Sequence, residues 1–278
     1  MTHLPQARLF ACSPEYSSSA YAVQLFLAPA SGLEQQAADV GTQAALLPLA
    51  DLRAFRQNTS GPLRDPSMKP LPHSTTSLFT VGHSSLELDG FLKILITHEV
   101  KILCDVRSRP GSFRFPQFNR EPLEACLASA EIEYEFLGQA LGGRPSDPRA
   151  YQADGIVNYE ERRKAADFRA GIGRALELCR ASNIVLMCVE EDPLQCHRFL
   201  MICPALLDRD VTPLHIRRGG ELESQREAED RLLKLHDLAA FDSGSLFISE
   251  RDVALQDALR RQAQEFAFRA SPEAIEYF

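Results

Sequence analysis

IVLMCVEEDPLQCHRFLMICPALL, residues 184–207, decides how the rest of the chain is read. Ile184 through Val189 is an apolar, partly β-branched run that reads as a buried strand. Glu190, Glu191 and Asp192 follow, and then Pro193. Asp before Pro is a helix-start signal: the carboxylate can cap free backbone N–H groups, and Pro suits the first helical position. The apolar positions Phe199, Leu200, Ile202, Leu206 and Leu207 then predict a helix from Pro193 onward, with Cys196, His197 and Arg198 in or just after its first turn. A helix N-terminus favours anions and helps a thiol ionise, so a strand, an acidic turn and a helix opening on Cys-His-Arg make a place for chemistry.

Working outward, the same alternation repeats. LFTVGHSS (78–85) is a short strand ending in Gly82-His83-Ser84, and LELDGFLKILITHEV (86–100) carries Leu88, Phe91, Leu92, Leu95 and Ile96 at helical spacing. KILCDVRS (101–108) reads as a second strand, the loop 107–122 is dense in Arg and Phe, and 122–130 reads as a helix. A third strand covers 133–138, a loop leads to a helix over 160–181, and VTPLHI (211–216) is the last strand after the Cys-His-Arg segment. Strands alternating with helices predict an α/β fold, a mostly parallel open sheet with helices on both faces. The tail 221–278 reads as a helical C-terminal extension in two pieces, 222–238 and 250–268, packing on the domain or on a protein partner, a second copy included. Residues 1–75 form a poorly defined N-terminal extension: Ser- and Pro-rich at 13–19 and 58–77, with a candidate strand at Tyr21–Leu27 and weak helical periodicity over Gln35–Arg56. The division is therefore 1–75, 76–220 and 221–278.

Composition sets the bounds. With 45% hydrophobic and 24% charged residues the chain is an ordinary globular one, and a net charge of −8 argues against a surface coated by nucleic acid, while leaving room for a local basic groove. No apolar run approaches the roughly 20 residues that span a bilayer. No basic segment followed by an apolar core opens the chain, and the seven cysteines show no framework spacing; reduced thiols and a cytoplasmic location are expected.

Ligands of open α/β sheets sit beyond the carboxyl ends of the strands. Those ends carry His83, Asp105 with Arg107, and the stretch from Cys188 to Arg198. His83 reads as an acid, base or donor, or as a histidine tied to a backbone carbonyl. Asp105 and Arg107 share a strand face, as a functional pair or as a structural salt bridge. Arg107, Arg109, Arg114 and Arg120, interleaved with Phe113, Phe115 and Phe118, can clamp a phosphate and stack a planar ring, or form a surface loop with its aromatics tucked under. Glu190 is the better candidate general base of the acidic pair, since it shares a strand face with Cys188. Cys196 reads as nucleophile or positioning group, and Cys188 as a core thiol. A zinc site from Cys188, Cys196 and His197, with His83 as a further candidate, suits the ligand types, but the eight-residue separation of the cysteines fits no standard knuckle; no cofactor is expected. Phosphate-loop, dinucleotide, nucleophile-elbow and His-Glu-x-x-His signatures are absent from the sequence.

TVGHSS at 80–85, CDVRSRPGSFRFPQFN at 104–119, LGG at 141–143 and CVEEDPLQCHR at 188–198, in this order, make the stretch from about 78 to 217 resemble the domain-of-unknown-function 488 family. That resemblance implies an α/β domain without an assigned reaction. It carries over His83, Asp105, Arg107, Asn119, Cys188, Glu190, Cys196, His197 and Arg198, while Glu191 and Gln195 depart from the family's pattern. Two classes of function follow. In an enzyme acting on a phosphorylated or nucleotide-like ligand, Arg107 and Arg109 hold the anion, Phe113 or Phe115 stacks, and Asn119 and Arg198 complete the ligand site. His83, Asp105, Glu190, Cys196 and His197 are then the catalytic set, with Cys196 accessible. In a non-catalytic module binding a nucleotide, nucleic acid or protein, Cys196 is buried and His83 bonds only backbone. A thiol redox sensor using Cys188 and Cys196 is the third reading.

Overall fold

Strand β1 (Leu78–Gly82) lies inside a six-stranded sheet of order β3-β2-β4-β1-β5-β6. The computed structural model describes residues 76–239 and 250–271, so the readings made for 1–75 lie outside the described residues. β2 (Ile102–Asp105), β3 (Glu133–Phe136), β4 (Ile184–Cys188) and β5 (Leu214–Ile216) run parallel to β1, and β6 (Leu222–Ser224) pairs antiparallel with β5. The central strands are buried on both faces, which is why β1 and β4 are near-continuous apolar runs.

The two faces hold separate cores. Phe79, Val81, Leu103, Val185 and Met187 pack with α1 (Leu88–Thr97) and α2 (Arg120–Ser129) through Phe91, Leu95, Leu123 and Leu127. Leu78, Cys104, Leu186 and Cys188 pack against the other face, where a one-turn helix α3 (Gly138–Leu141), α4 (Tyr159–Lys164) and α5 (Ala166–Ala181) supply Leu141, Tyr159, Phe168 and Ile172. Each buried Phe or Leu contributes about 1.5–3 kcal/mol through the area it removes from water. α/β architecture with helices on both faces is thus established.

Several boundaries differ from those the sequence predicts. The helix expected over 160–181 is two helices, interrupted at Ala165, with Asn158 capping the first by accepting from the amides of Glu160 and Glu161. The segment read as the start of a C-terminal helix is strand β6, because Leu222–Ser224 finds β5 as a ladder partner. Ser224 then opens α7 (Gln225–Leu235) with a capping box to Glu227. α8 (Glu250–Phe266) follows, and Ala228, Leu232, Ala254 and Ala258 join the same core as β4. The expected helix from Pro193 is also broken. Pro193–Gln195 is a single 3-10 turn, capped by Asp192 on the amide of Leu194; Cys196 is extended; and the helical run resumes at Arg198. Arg198–Ile202 is a π-turn leading into the short helix α6 (Cys203–Leu207). Pro204 accounts for the widening: it has no N–H to give and its ring would strike the carbonyl four residues back. Among the described residues no helix is long and apolar enough to cross a membrane.

Candidate functional site

Register brings the three strand ends together. Gly82 lies beside Cys188 and Asp105 beside Met187, so the segments after β1, β2 and β4 emerge at one edge of the sheet. The side chains then divide between the two faces.

On the face of α1 and α2, Asp105 is buried and accepts from the Arg107 amide at 3.0 Å, from Arg107 Nε at 2.9 Å and Nη2 at 2.6 Å, and from the Tyr134 hydroxyl at 2.9 Å. Arg107 Nη2 also donates to the Phe118 carbonyl at 2.8 Å, and Nη1 lies 3.3 Å from His83 Nε2. A guanidinium only donates, so Nε2 of His83 must accept, and its Nδ1 proton goes to the Ser84 carbonyl at 3.0 Å. His83 is therefore a neutral imidazole stacked on Phe118 at 4.2 Å; burial first and the Arg107 charge second push it down to about 4. Arg107 is 4% exposed and its fork is consumed by these partners. Asp105, Arg107 and His83 form an internal polar brace, and the arginine expected to hold a phosphate faces inward.

The Arg/Phe loop divides likewise. Asn119 accepts from the Ser112 amide at 2.6 Å and fixes the loop, while Phe115 packs edge-on to His83 and beneath Arg114. Arg109 is exposed, Phe113 is fully exposed, and Arg120 lies over the rings of Tyr134 and Phe136.

On the opposite face, Cys188, Glu190, Cys196 and His197 place one ligand-type atom each within 4.8 Å of one another. Cys188 Sγ is 3.0 Å from Glu190 Oε2 and 3.6 Å from His197 Nδ1, and Cys196 Sγ is 3.7 Å from the same nitrogen. His197 Nε2 is 3.0 Å from the Val106 carbonyl, which can only accept, so Nε2 carries a proton and Nδ1 faces the sulfurs. A hydrogen bond from Cys196 and the His197 charge draw Cys188 well below the ordinary thiol range, against the opposing effect of burial. Burial and the Cys188 charge push Cys196 well above it. Burial alone would lower His197, but the Cys188 charge and hydrogen bond outweigh it and raise the imidazole. Glu190 is exposed as a residue, yet its carboxyl end rests against the thiols; desolvation there and the Cys188 charge raise it. Cys196 itself is 2% exposed, so the accessible thiol expected at this position is not seen.

The remaining acidic residues hold the turn. Glu191 pairs with Arg217 at 3.1 Å, and Asp192 with Arg231 at 2.7 Å, while Glu223 meets both arginines. Arg198 is 1% exposed; its Nη2 donates to the Glu191 carbonyl at 2.7 Å, and its Nε and Nη1 have no hydrogen-bond partner. It braces the turn from inside and does not reach a surface ligand. The sequence favours Cys188 as a core thiol, with the zinc and redox alternatives grouping it with Cys196; its period-2 relation to Glu190 is the signal that joins those two. A cleft of about 570 Å³ opens at the other edge of the sheet, lined by Leu78, Cys179, Arg180, Arg209 and Leu214, away from both groups.

Residues 87–202 match the family model described as "Domain of unknown function DUF488". No curated protein and no solved structure matches the chain.

Proposed function

The chain is a member of the DUF488 family through residues 87–202, and from that premise we propose that it is an enzyme whose proton-transfer group is Glu190. The observation that carries this reading is the position of Glu190. It is the exposed member of a cluster of buried titratable groups, at the carboxyl end of a central parallel strand, where such sheets bind ligands. Its carboxyl is raised toward the range in which general acids and bases work at neutral pH. Cys188, Cys196 and His197 tune that carboxyl from below and would not themselves meet bulky substrates. The ligand is an anionic small molecule, phosphorylated or nucleotide-like, met by Arg109 and Arg114 and by the exposed ring of Phe113. A turnover screen over phosphomonoesters, phosphodiesters, nucleotides and nucleosides tests the reading. Glu190→Gln is expected to lower the rate by about 10²–10⁴-fold with unchanged thermal stability. Wild-type turnover that this substitution leaves intact would sink it.

A second reading, a non-catalytic module for a nucleotide, nucleic acid or protein, is favoured by the burial of Cys196. Under it, Arg109→Ala with Arg114→Ala abolishes ligand binding while Glu190→Gln has no effect on any measured property of the complex.

A further inference from the structure

We propose that Cys188, Cys196, His197 and Glu190 bind one zinc ion, which names the cofactor of the proposed reacting centre. Its catalytic meaning rests on that reading, whereas the binding stands on geometry alone. With Zn–S near 2.3 Å and Zn–N near 2.0–2.1 Å, a tetrahedral centre separates sulfur from nitrogen by about 3.6 Å. His197 Nδ1 stands 3.6 Å from one sulfur and 3.7 Å from the other. The Cys188–Glu190 contact, at 3.0 Å, is shorter than a tetrahedral edge, so the carboxylate of Glu190, the solvent-side donor, must turn outward as zinc enters. Two thiolates and an imidazole select a borderline-soft ion such as zinc over magnesium or calcium.

Two further observations point the same way. The Val106 carbonyl holds the far nitrogen of His197, which fixes the ring and presents the Nδ1 lone pair inward, the orientation that backbone carbonyls give metal-binding imidazoles. Arg198 is a buried cation with two donors left without hydrogen-bond partners, and it directly follows the donors Cys196 and His197 in the chain. Buried charge without a counter-charge is costly. Two thiolates and a carboxylate around a dication leave one net negative charge beside Arg198, which offsets that cost. On binding, every donor still protonated, whether a thiol, His197 Nδ1 or the Glu190 carboxyl, releases its proton to solvent, and no electrons move.

The test is a titration of the full chain, reduced and stripped by chelator, with cobalt(II) and then with zinc. The expected result is one equivalent of cobalt giving a thiolate-to-cobalt charge-transfer band and the intense visible bands of tetrahedral coordination, both erased by one equivalent of zinc. Cys188→Ser and Cys196→Ser should each remove the charge-transfer intensity of one thiolate and weaken binding at least tenfold. Cys203→Ser, a buried cysteine of the same core outside the donor set, should leave the spectrum unchanged. Should the two serine variants fail to fold, Glu190→Gln at the solvent side still reports, by shifting the visible bands. Absence of a thiolate charge-transfer band in the wild-type chain overturns the proposal, as does a spectrum that responds to Cys203→Ser and ignores Glu190→Gln. Cobalt bound by thiolates together with turnover indifferent to Glu190→Gln would remove the enzyme and keep the metal. Turnover that needs Glu190 without any such band would do the reverse.

Discussion

His197 gives its Nε2 proton to the carbonyl of Val106 at 3.0 Å, tying the segment after β4 to the end of β2. Because that proton is committed, the ring's other nitrogen faces Cys188 and Cys196, and the imidazole charge acts on the thiols and on the Glu190 carboxyl beside them.

The first consequence concerns thiol ionisation. In the reduced, chelator-treated chain, one thiolate should be present well below the ordinary thiol range, followed by ultraviolet thiolate absorbance as pH is raised. The hydrogen bond from Cys196 is the largest cause, and the His197 charge and hydrogen bond add to it, so Cys196→Ala and His197→Ala should each move the step upward. A step at the ordinary thiol value in the wild-type chain would refute the coupling.

The brace on the other face makes a stability prediction. Asp105 is fully buried and takes up most of the Arg107 fork. Asp105→Asn leaves a buried guanidinium without its counter-charge, and should cost about 3–5 kcal/mol in urea unfolding. Tyr134→Phe removes one hydrogen bond to the same carboxylate and should cost roughly 1–2 kcal/mol. A loss below about 1 kcal/mol for Asp105→Asn would mean the brace is not structural.

Acid should unfold the protein through two histidines. His83 and His215 are both pushed down to about 4, chiefly by burial, and His215 is held neutral between Thr80 and Gln225. The unfolded chain takes up these protons near pH 6.5, whereas the folded chain resists until about 4. Stability is therefore fully present above about 6.5 and falls as pH drops from there to about 4, with a slope of about 1.4 kcal/mol per pH unit for each histidine. His215→Gln should cut the slope in that window by about half once other groups are subtracted. An unchanged slope would show that His215 is not the titrating group.

Much of this organisation is legible in the chain, for reasons that differ by residue. The β1, β2 and β4 cores show as apolar runs because both their faces are covered. Asp192-Pro193 announces a cap, and Asp192 does cap the amide of Leu194. Leu222–Ser224 reads as helix because three residues carry no period of their own; pairing with β5 decides them. Arg107 and Arg198 look like anion ligands, since charge suggests solvent, and only tertiary packing shows that each is buried inside. The division of the strand-end residues between two faces follows from the alternation of the strands. His83 and Asp105 continue one face, and Cys188 belongs to the other.

Gly82 offers the sharpest check on how that edge is built. It ends β1 beside Cys188, and a Cβ placed on it would lie 1.7 Å from the Glu190 carbonyl oxygen and 2.8 Å from Arg198 Nη1. The first obstacle is backbone and cannot rotate away, so Gly82→Ala must push the 190–192 turn off β1, along with the Glu190 carboxyl and the brace that Arg198 provides. A cost of about 1–3 kcal/mol or more in urea unfolding is expected, as for other overpacked sites. Gly173→Ala is the matched control: it sits within α5 with open space where its Cβ would go, and should be neutral or gain roughly 0.5–1 kcal/mol from helix propensity. If Gly82→Ala were as stable as Gly173→Ala and kept both cobalt binding and turnover, the turn would not be seated on β1 as described. A loss of cobalt binding in Gly82→Ala at a pH and temperature where the variant stays folded would instead show that the close approach of these two backbones is what holds Glu190 over the thiols.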